Sequence, residues 1–370
     1  MSPPRPLLLP CFLLIIATGC GRDSGDREVV QRVKKTPAID APTKKGSSVV
    51  SPAPVVTSLS ASTIPVDPGD GERAGDFPYL SQRTVCDRSK TKVTDDYKRV
   101  ARFAEVLFLG SDPLSDVEEN RYGDDFWEAL SGQMQEKLDR NPTVSAYVSD
   151  LGKRLARHAS RTAIRYKFHV LDESEPNAFA LPGGRIVIHT GLLDLLENEA
   201  QLAMVLAHEI GHIEHRHGNE KLQLARKVLG GVNNLTVLLA TFLQLPTSSK
   251  HEEEADSYAL SLLIKDGLSP FQGVRFFEVI LPGKHTLTEK ISLELKTGDP
   301  DIDKLISEVA DNPIVKEFEN MVMTHPSGAQ RACRLKQRIH DQLKNQPNEW
   351  FRVGQEPYRK ALGDISKRRR

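Results

Sequence analysis

Residues 208–212 read His-Glu-Ile-Gly-His. On an α-helix, positions four apart share a face, so His208 and His212 can point at one ion. Glu209, about 100° further round the helix, is close enough to hold a water and take its proton. Two imidazoles and a carboxylate base at this spacing point to metal-assisted hydrolysis. A catalytic zinc needs three protein ligands and an open position. A Gly-x-x-His continuation would supply the third ligand, but position 215 is His and position 218 is Gly. The third ligand therefore comes from elsewhere in the chain. A glutamate within His251-Glu252-Glu253-Glu254-Ala255-Asp256 would complete a His-His-Glu set.

These side chains need two helices to carry them. Asn198 followed by Gln201 reads as a capping box for the first. Leu202, Val205, Leu206 and Ile213 form its apolar stripe, and Gly218 reads as its stop. Tyr258, Ala259, Leu262 and Leu263 give the second helix a buried side. Upstream, helical spacing starts near Val93 with Tyr97, Val100, Ala101, Ala104 and Leu107, and Asn141-Pro142 opens another helix. Tyr166, Phe168 and Val170 alternate with polar residues, which reads as a strand. Pro182-Gly183-Gly184 is a turn before a second strand, Arg185–His189. Val232–Leu245 is apolar but too short to span a bilayer, so it reads as a core helix or a wall of the cleft. The expected fold is α+β and mainly helical, with a small sheet from residues 164–190.

Four separated stretches resemble the M48 family of zinc metallopeptidases. They are Asn177–Gly184 with the Ile186-Val187 and Gly191-Leu192-Leu193 that follow; the His-Glu-x-x-His helix with Arg216-His217; Glu252-x-Glu254-Ala255-Asp256; and Thr324-His325-Pro326 with Arg331. Their order and spacing agree with that family over about residues 95–340. The resemblance implies a zincin domain of gluzincin type, one zinc ion per chain, and peptide-bond hydrolysis. It places His208, His212 and Glu252 on the metal and Glu209 as general base. It places His325 in a loop near the zinc, as a substrate or oxyanion contact or as an occupant of the open position. Asp256, one turn after Glu252, is suited to fix the tautomer of a ligand histidine, and Arg331 to anchor the His325 loop. Glu253 and Glu254 read as a solvated acidic face. His215 and His217 read as bystanders, with His217 at a helix C-terminus. His189 lines the cleft or sits at the surface. In such enzymes an edge strand binds extended peptide, and Arg185, Ile186, Val187, Ile188 and His189 are the expected strand.

The rest of the chain sets the context. It has 370 residues, 50 basic and 50 acidic side chains, only 6% aromatic residues and 23 prolines. Neutral charge argues against nucleic acid as partner, because phosphate binding needs a basic surface. Residues 1–19 read as a lipoprotein signal peptide, with an apolar run from Leu7 to Ile16 and small residues before Cys20, the expected lipidation site. Arg22 rather than an acidic residue follows Gly21, which leans toward the outer membrane over the inner. Residues 20–90 read as a flexible tether, since Gly21 to Asp76 contains no Phe, Trp or Tyr to bury. Residues 91–345 are the expected metallopeptidase domain and 346–370 a basic tail. Cys86 and Cys333 remain as a candidate disulfide in an oxidising compartment. The combined expectation is a lipid-anchored, periplasmic zinc endopeptidase of the bacterial envelope that cuts unfolded or extended proteins in quality control. The alternative is a zinc-bound chaperone or assembly factor with a blocked peptidase site. Oligomeric state is not legible.

Overall fold

The structure is a computed structural model and describes residues 68–86, 114–138, 141–229, 234–245, 247–280, 299–304 and 328–363. The expected helix near Val93, His325, Cys20 and the signal segment lie outside the described residues.

In chain order the elements are β1 (Gly71–Arg73), α1 (Pro78–Ser81), α2 (Asp116–Gln133), α3 (Pro142–Ala156), β2 (Lys167–Leu171), β3 (Ala178–Leu181), β4 (Arg185–His189), α4 (Thr190–Leu193), α5 (Glu199–Glu214), α6 (His217–Val228), α7 (Leu235–Gln244), α8 (Ser249–Lys265), α9 (Pro270–Arg275), α10 (Gly328–Leu343), β5 (Trp350–Arg352) and α11 (Gln355–Leu362). A mainly helical α+β architecture results, with one three-stranded and one two-stranded sheet.

Local chemistry explains the helix starts. Asn141 caps α3 through the backbone N–H groups of Thr143 and Val144, with Pro142 at the first helical position. Asn198 accepts from the Gln201 N–H and opens α5. The reciprocal half of that box is displaced by one residue: the Gln201 side chain accepts from the Glu197 N–H instead.

The three-stranded sheet has the order β2-β4-β3. β4 runs parallel to β2 and antiparallel to β3, with Phe168 opposite Ile186 and Phe179 opposite Val187. This corrects the expected substrate strand. Arg185–His189 is the central strand, hydrogen-bonded on both sides, and cannot accept a peptide. The edge strand beside α5 is Ala178–Leu181. All five β4 residues are buried. Ile186 and Ile188 enter the core formed with α3, α5 and α8, whereas Val187 enters a second core with α2, α6 and α7. Burial at every position, around an Ile-Val-Ile centre, is the signature of a strand covered on both faces.

Helices α5 and α8 cross closely at a point set by glycine. A Cβ at Gly211 would sit 2.9 Å from the Ala255 Cα, a distance that side chains do not tolerate. That contact brings the ligand faces of the two helices together.

Both expected domain limits shift outward. Residues 68–86 pack against the domain: Ala74 and Leu80 are buried, and β1 pairs antiparallel with β5. Residues 350–362 belong to the fold as well, with Phe351 and Tyr358 buried and the Tyr358 hydroxyl donating to the Leu193 carbonyl at 2.6 Å. The aromatic residues Phe77, Tyr79, Phe351 and Tyr358 are what a tether or a solvated tail lacks. A disulfide joins Cys86 to Cys333, linking positions 247 residues apart.

Candidate metal centre

α5 presents His208, Glu209 and His212, all buried, to a pocket walled by Phe179 to Pro182, Lys221, Phe242, Leu243, Thr247 and Arg331. α8 brings Glu252 to the same point. The His208 and His212 Nε2 atoms are 3.1 Å apart, and Glu252 carboxylate oxygens lie 3.4 Å from one and 3.5 Å from the other. Zinc bonds of about 2.0–2.1 Å at tetrahedral angles place neighbouring ligand atoms roughly 3.3 Å apart. Two imidazoles and one carboxylate with these separations fit a zinc-sized ion with a fourth position open toward the pocket.

Electrostatics favour a cation there. Burial alone would lower the His208 pKa, but hydrogen bonding to Asp256 and Glu252 pushes it up to about 9. Burial would likewise raise the Glu252 carboxyl. Arg331, His208 and His212 instead hold it well below the usual carboxylate range, in the ionised form a ligand needs.

Each of these three side chains is held from behind. The His208 Nδ1 lies 3.0 Å from Asp256 Oδ1, so Nδ1 carries the proton and Nε2 is the free donor atom. Arg331 clamps Asp256 with two hydrogen bonds of 2.6 and 2.9 Å, reaches Glu252 at 3.1 Å, and stacks over Phe277 at 4.2 Å. Arg331 therefore sits among His208, Glu252 and Asp256 themselves. Thr247 donates to Glu252 Oε1 at 2.7 Å.

His212 is held differently. Its Nδ1 lies 2.9 Å from the His217 Nδ1, and the His217 Nε2 lies 3.1 Å from Glu254 Oε2. With the His212 Nε2 turned to the ion site, its Nδ1–H donates to His217, whose Nε2–H donates to Glu254. This corrects three expectations. α5 ends at Glu214, and Gly218 sits inside α6 rather than stopping a helix. The stop is Arg216 in the left-handed conformation (φ 59°), held by ion pairs to Asp116 and Glu119. That turn folds His217 back onto His212, where burial and three neighbouring histidines lower its pKa, so it is neutral and buried rather than a charged helix end. Glu253 and Glu254 are also partnered: Glu253 pairs with Arg334 and Arg338, and Glu254 with His217.

His189 does not enter the pocket. It is buried, with Nδ1 3.0 Å from the Glu175 carbonyl. Sequence reading missed Thr247, Lys221 and the His217–Glu254 pair. The His212–His217 spacing of five does not share a helix face, so only the turn at Arg216 reveals it. Lys221 lies 4.8 Å over the Phe242 ring. Burial lowers its pKa to about 8, against the pull of Glu209 and Glu252.

The model of peptidase family M48 matches residues 142–339, more than half of the chain. The chain belongs to peptidase family M48. Its metallopeptidase domain is of the zincin type. The beta-barrel assembly-enhancing protease of Escherichia coli (strain K12) is 31% identical over 189 residues, covering 45% of this chain and 38% of that protein. The mitochondrial metalloendopeptidase OMA1 of Schizosaccharomyces pombe is 32% identical over 171 residues, covering 43% of this chain and 51% of that protein. The OMA1 of Arabidopsis thaliana is 32% identical over 178 residues, covering 45% and 33%. The matches therefore span between about a third and a half of the length of these M48 relatives. Among the described residues, no helix is long and apolar enough to cross a membrane.

Proposed function

We propose that this M48 protein is a zinc-dependent metalloendopeptidase, with one zinc ion per chain held by His208, His212 and Glu252. The observation that carries the reading is the convergence of three ligand atoms, 3.1 to 3.5 Å apart, beside Glu209 in a buried pocket. A zinc ion there supplies Lewis acidity, which polarises a carbonyl and lowers the pKa of water toward neutrality. Glu209 takes the water proton and delivers it to the leaving amine. Asp256 and Arg331 keep His208 and Glu252 in place, and the His217–Glu254 pair orients His212. His325 acts at the same site on the strength of its motif.

Substrate pairs with the open edge of β3. The His189 N–H donates to the Asn177 carbonyl, so residues 177, 179 and 181 face β4. Ala178 and Ala180 then direct their N–H and C=O groups outward. An extended peptide added there is held by main-chain hydrogen bonds, with little demand on sequence. Unfolded or extended proteins are therefore the substrate class. The lipobox-like segment ending at Cys20, together with the relatives named as beta-barrel assembly-enhancing proteases, supports a lipid-anchored enzyme of the bacterial periplasm, on the outer rather than the inner membrane, serving envelope quality control.

The test is metal content and peptide cleavage on the purified protein. About one zinc per chain, lost in His208→Ala and in Glu252→Ala, is expected. Glu209→Gln should keep the zinc and lose cleavage of unfolded protein. A folded chain that takes up no zinc would end this reading. Zinc without cleavage would move the protein to the chaperone class.

A further inference from the structure

Main-chain pairing at β3 leaves the choice of substrate sequence to the side chains that line the pocket. Glu119, Glu209 and Glu252 line it, and two of them have cationic partners. Arg331 reaches Glu252 at 3.1 Å, and Arg161 and Arg216 pair with Glu119. Glu209 is the proposed base. Lys221 is the cation left over. No carboxylate of the described residues forms an ion pair with its ammonium group, and Glu209 and Glu252 act on it from beyond contact distance. Its Nζ lies 4.8 Å over the Phe242 ring instead. A ring face attracts a cation but replaces neither its lost water nor a carboxylate. Burial pushes the Lys221 pKa down to about 8, still above neutrality.

α6 places Lys221 where a bound peptide passes. Gly218 and Lys221 are three residues apart, so they share a face of that helix. A Cβ at Gly218 would lie 3.9 Å from both the Phe242 ring and Pro182. Pro182 directly follows Leu181, the last residue of β3. Lys221 therefore stands at the end of the edge strand, half-buried among Phe179, Leu181, Phe242 and Leu243. A peptide extended along β3 carries one of its side chains past this ammonium group.

We propose that Lys221 is a specificity-determining residue that selects an acidic substrate side chain, Asp or Glu, beside the scissile bond. The inference rests on the endopeptidase reading and names a preference within it. An incoming carboxylate meets a cation already stripped of much of its water, and gains a charge-assisted hydrogen bond. A neutral amide gains less, and a lysine side chain is repelled. Glu209 and Glu252 oppose an acidic side chain elsewhere in the pocket, so the preference is confined to the one subsite that Lys221 faces.

The experiment digests a library of unfolded peptides with the zinc-loaded full chain and reads the cut positions by mass spectrometry. Peptide pairs that differ by Glu or Gln at the enriched position then give ratios of kcat/KM. The wild type should prefer Glu by about tenfold at one position near the cut. Lys221→Met should bring that ratio to about one, and Lys221→Glu should invert it and favour Lys. A wild type without acidic preference at any position overturns the proposal. So does a Glu preference that Lys221→Met leaves intact. Equal loss of both peptides in Lys221→Met also overturns it, because Lys221 then acts on Glu209 rather than on the substrate. Failure of the endopeptidase reading gives a different result: no peptide is cut. The same pairs are then read by fluorescence anisotropy on the zinc-loaded chain. Glu should bind more tightly than Gln to the wild type and equally to Lys221→Met, and equal binding to the wild type overturns the proposal there too.

Discussion

The two histidines proposed as metal ligands in this M48 protein sit four residues apart on one helix, yet their supports differ in kind. His208 is backed by Asp256 and Arg331, both buried, in a charged lattice that also grips Glu252. His212 is backed by a neutral imidazole whose own partner, Glu254, is half-buried. Charges inside a protein are strongly held when paired and costly when one partner is lost. A neutral relay ending near solvent transmits less and tolerates more. The His208 side is thus the rigid half of the centre, and the His212 side is the adjustable half.

The largest expected effect lies between the two halves. Glu209→Gln should lower cleavage by about a hundredfold to ten-thousandfold with zinc content unchanged, read by steady-state kinetics alongside metal analysis. Next, Asp256→Asn should weaken zinc binding by about 10–100-fold. Glu254→Gln should cost less, since its amide oxygen still accepts from His217. Equal losses in chelator competition would erase the distinction between the rigid and adjustable halves. Arg331→Met leaves Asp256 and Glu252 buried without their cation. It should destabilise the fold by about 3–5 kcal/mol, measured by urea unfolding, whereas Glu254→Gln should barely move the midpoint. A fourth measurement concerns the edge strand. N-methylation of a peptide substrate at the position paired with Ala180 should raise KM more than it lowers kcat. An unchanged KM would remove β3 from substrate binding.

A last test is a control on a histidine remote from the proposed metal centre. His169 stacks on Trp127 at 3.5 Å, and burial followed by Lys167 lowers its pKa to about 4. The unfolded chain, with a histidine pKa near 6.5, binds this proton first as pH falls. Stability from this group is therefore complete above about pH 6.5 and declines toward pH 4, by on the order of 2–3 kcal/mol. His169→Phe should flatten that acid limb in pH-dependent unfolding. An unaltered slope would locate the acid sensitivity elsewhere, for instance in the His217 cluster.

Much of the centre was legible because helical periodicity is a local property. His208, Glu209 and His212 share a face by spacing alone, and the caps at Asn141 and Asn198 announce where their helices begin. Periodicity left the choice among Glu252, Glu253 and Glu254 open; the resemblance to the M48 pattern chose Glu252, and Asp256 follows one turn later. The α+β class followed from one alternating strand and a second strand after the Pro182-Gly183-Gly184 turn, among helices. The unbroken Ile186-Val187-Ile188 run also carried the sign of a central strand, and reading it as an edge strand overlooked it.

What tertiary structure alone decided are relations between distant segments. Strand order is one, because β3 and β4 are adjacent in sequence whichever of them lies outermost. The turn at Arg216 is another. A non-glycine residue adopts the left-handed conformation there because Asp116 and Glu119, about a hundred positions earlier, hold its side chain. That turn brings His217 to His212. The pairing of β1 with β5 likewise joins segments that, read one at a time, looked like a tether and a tail. Local sequence sets which face of a helix carries chemistry. Which buried partner meets that face is set by packing across the whole chain, where hydrogen bonds and charges must be satisfied together.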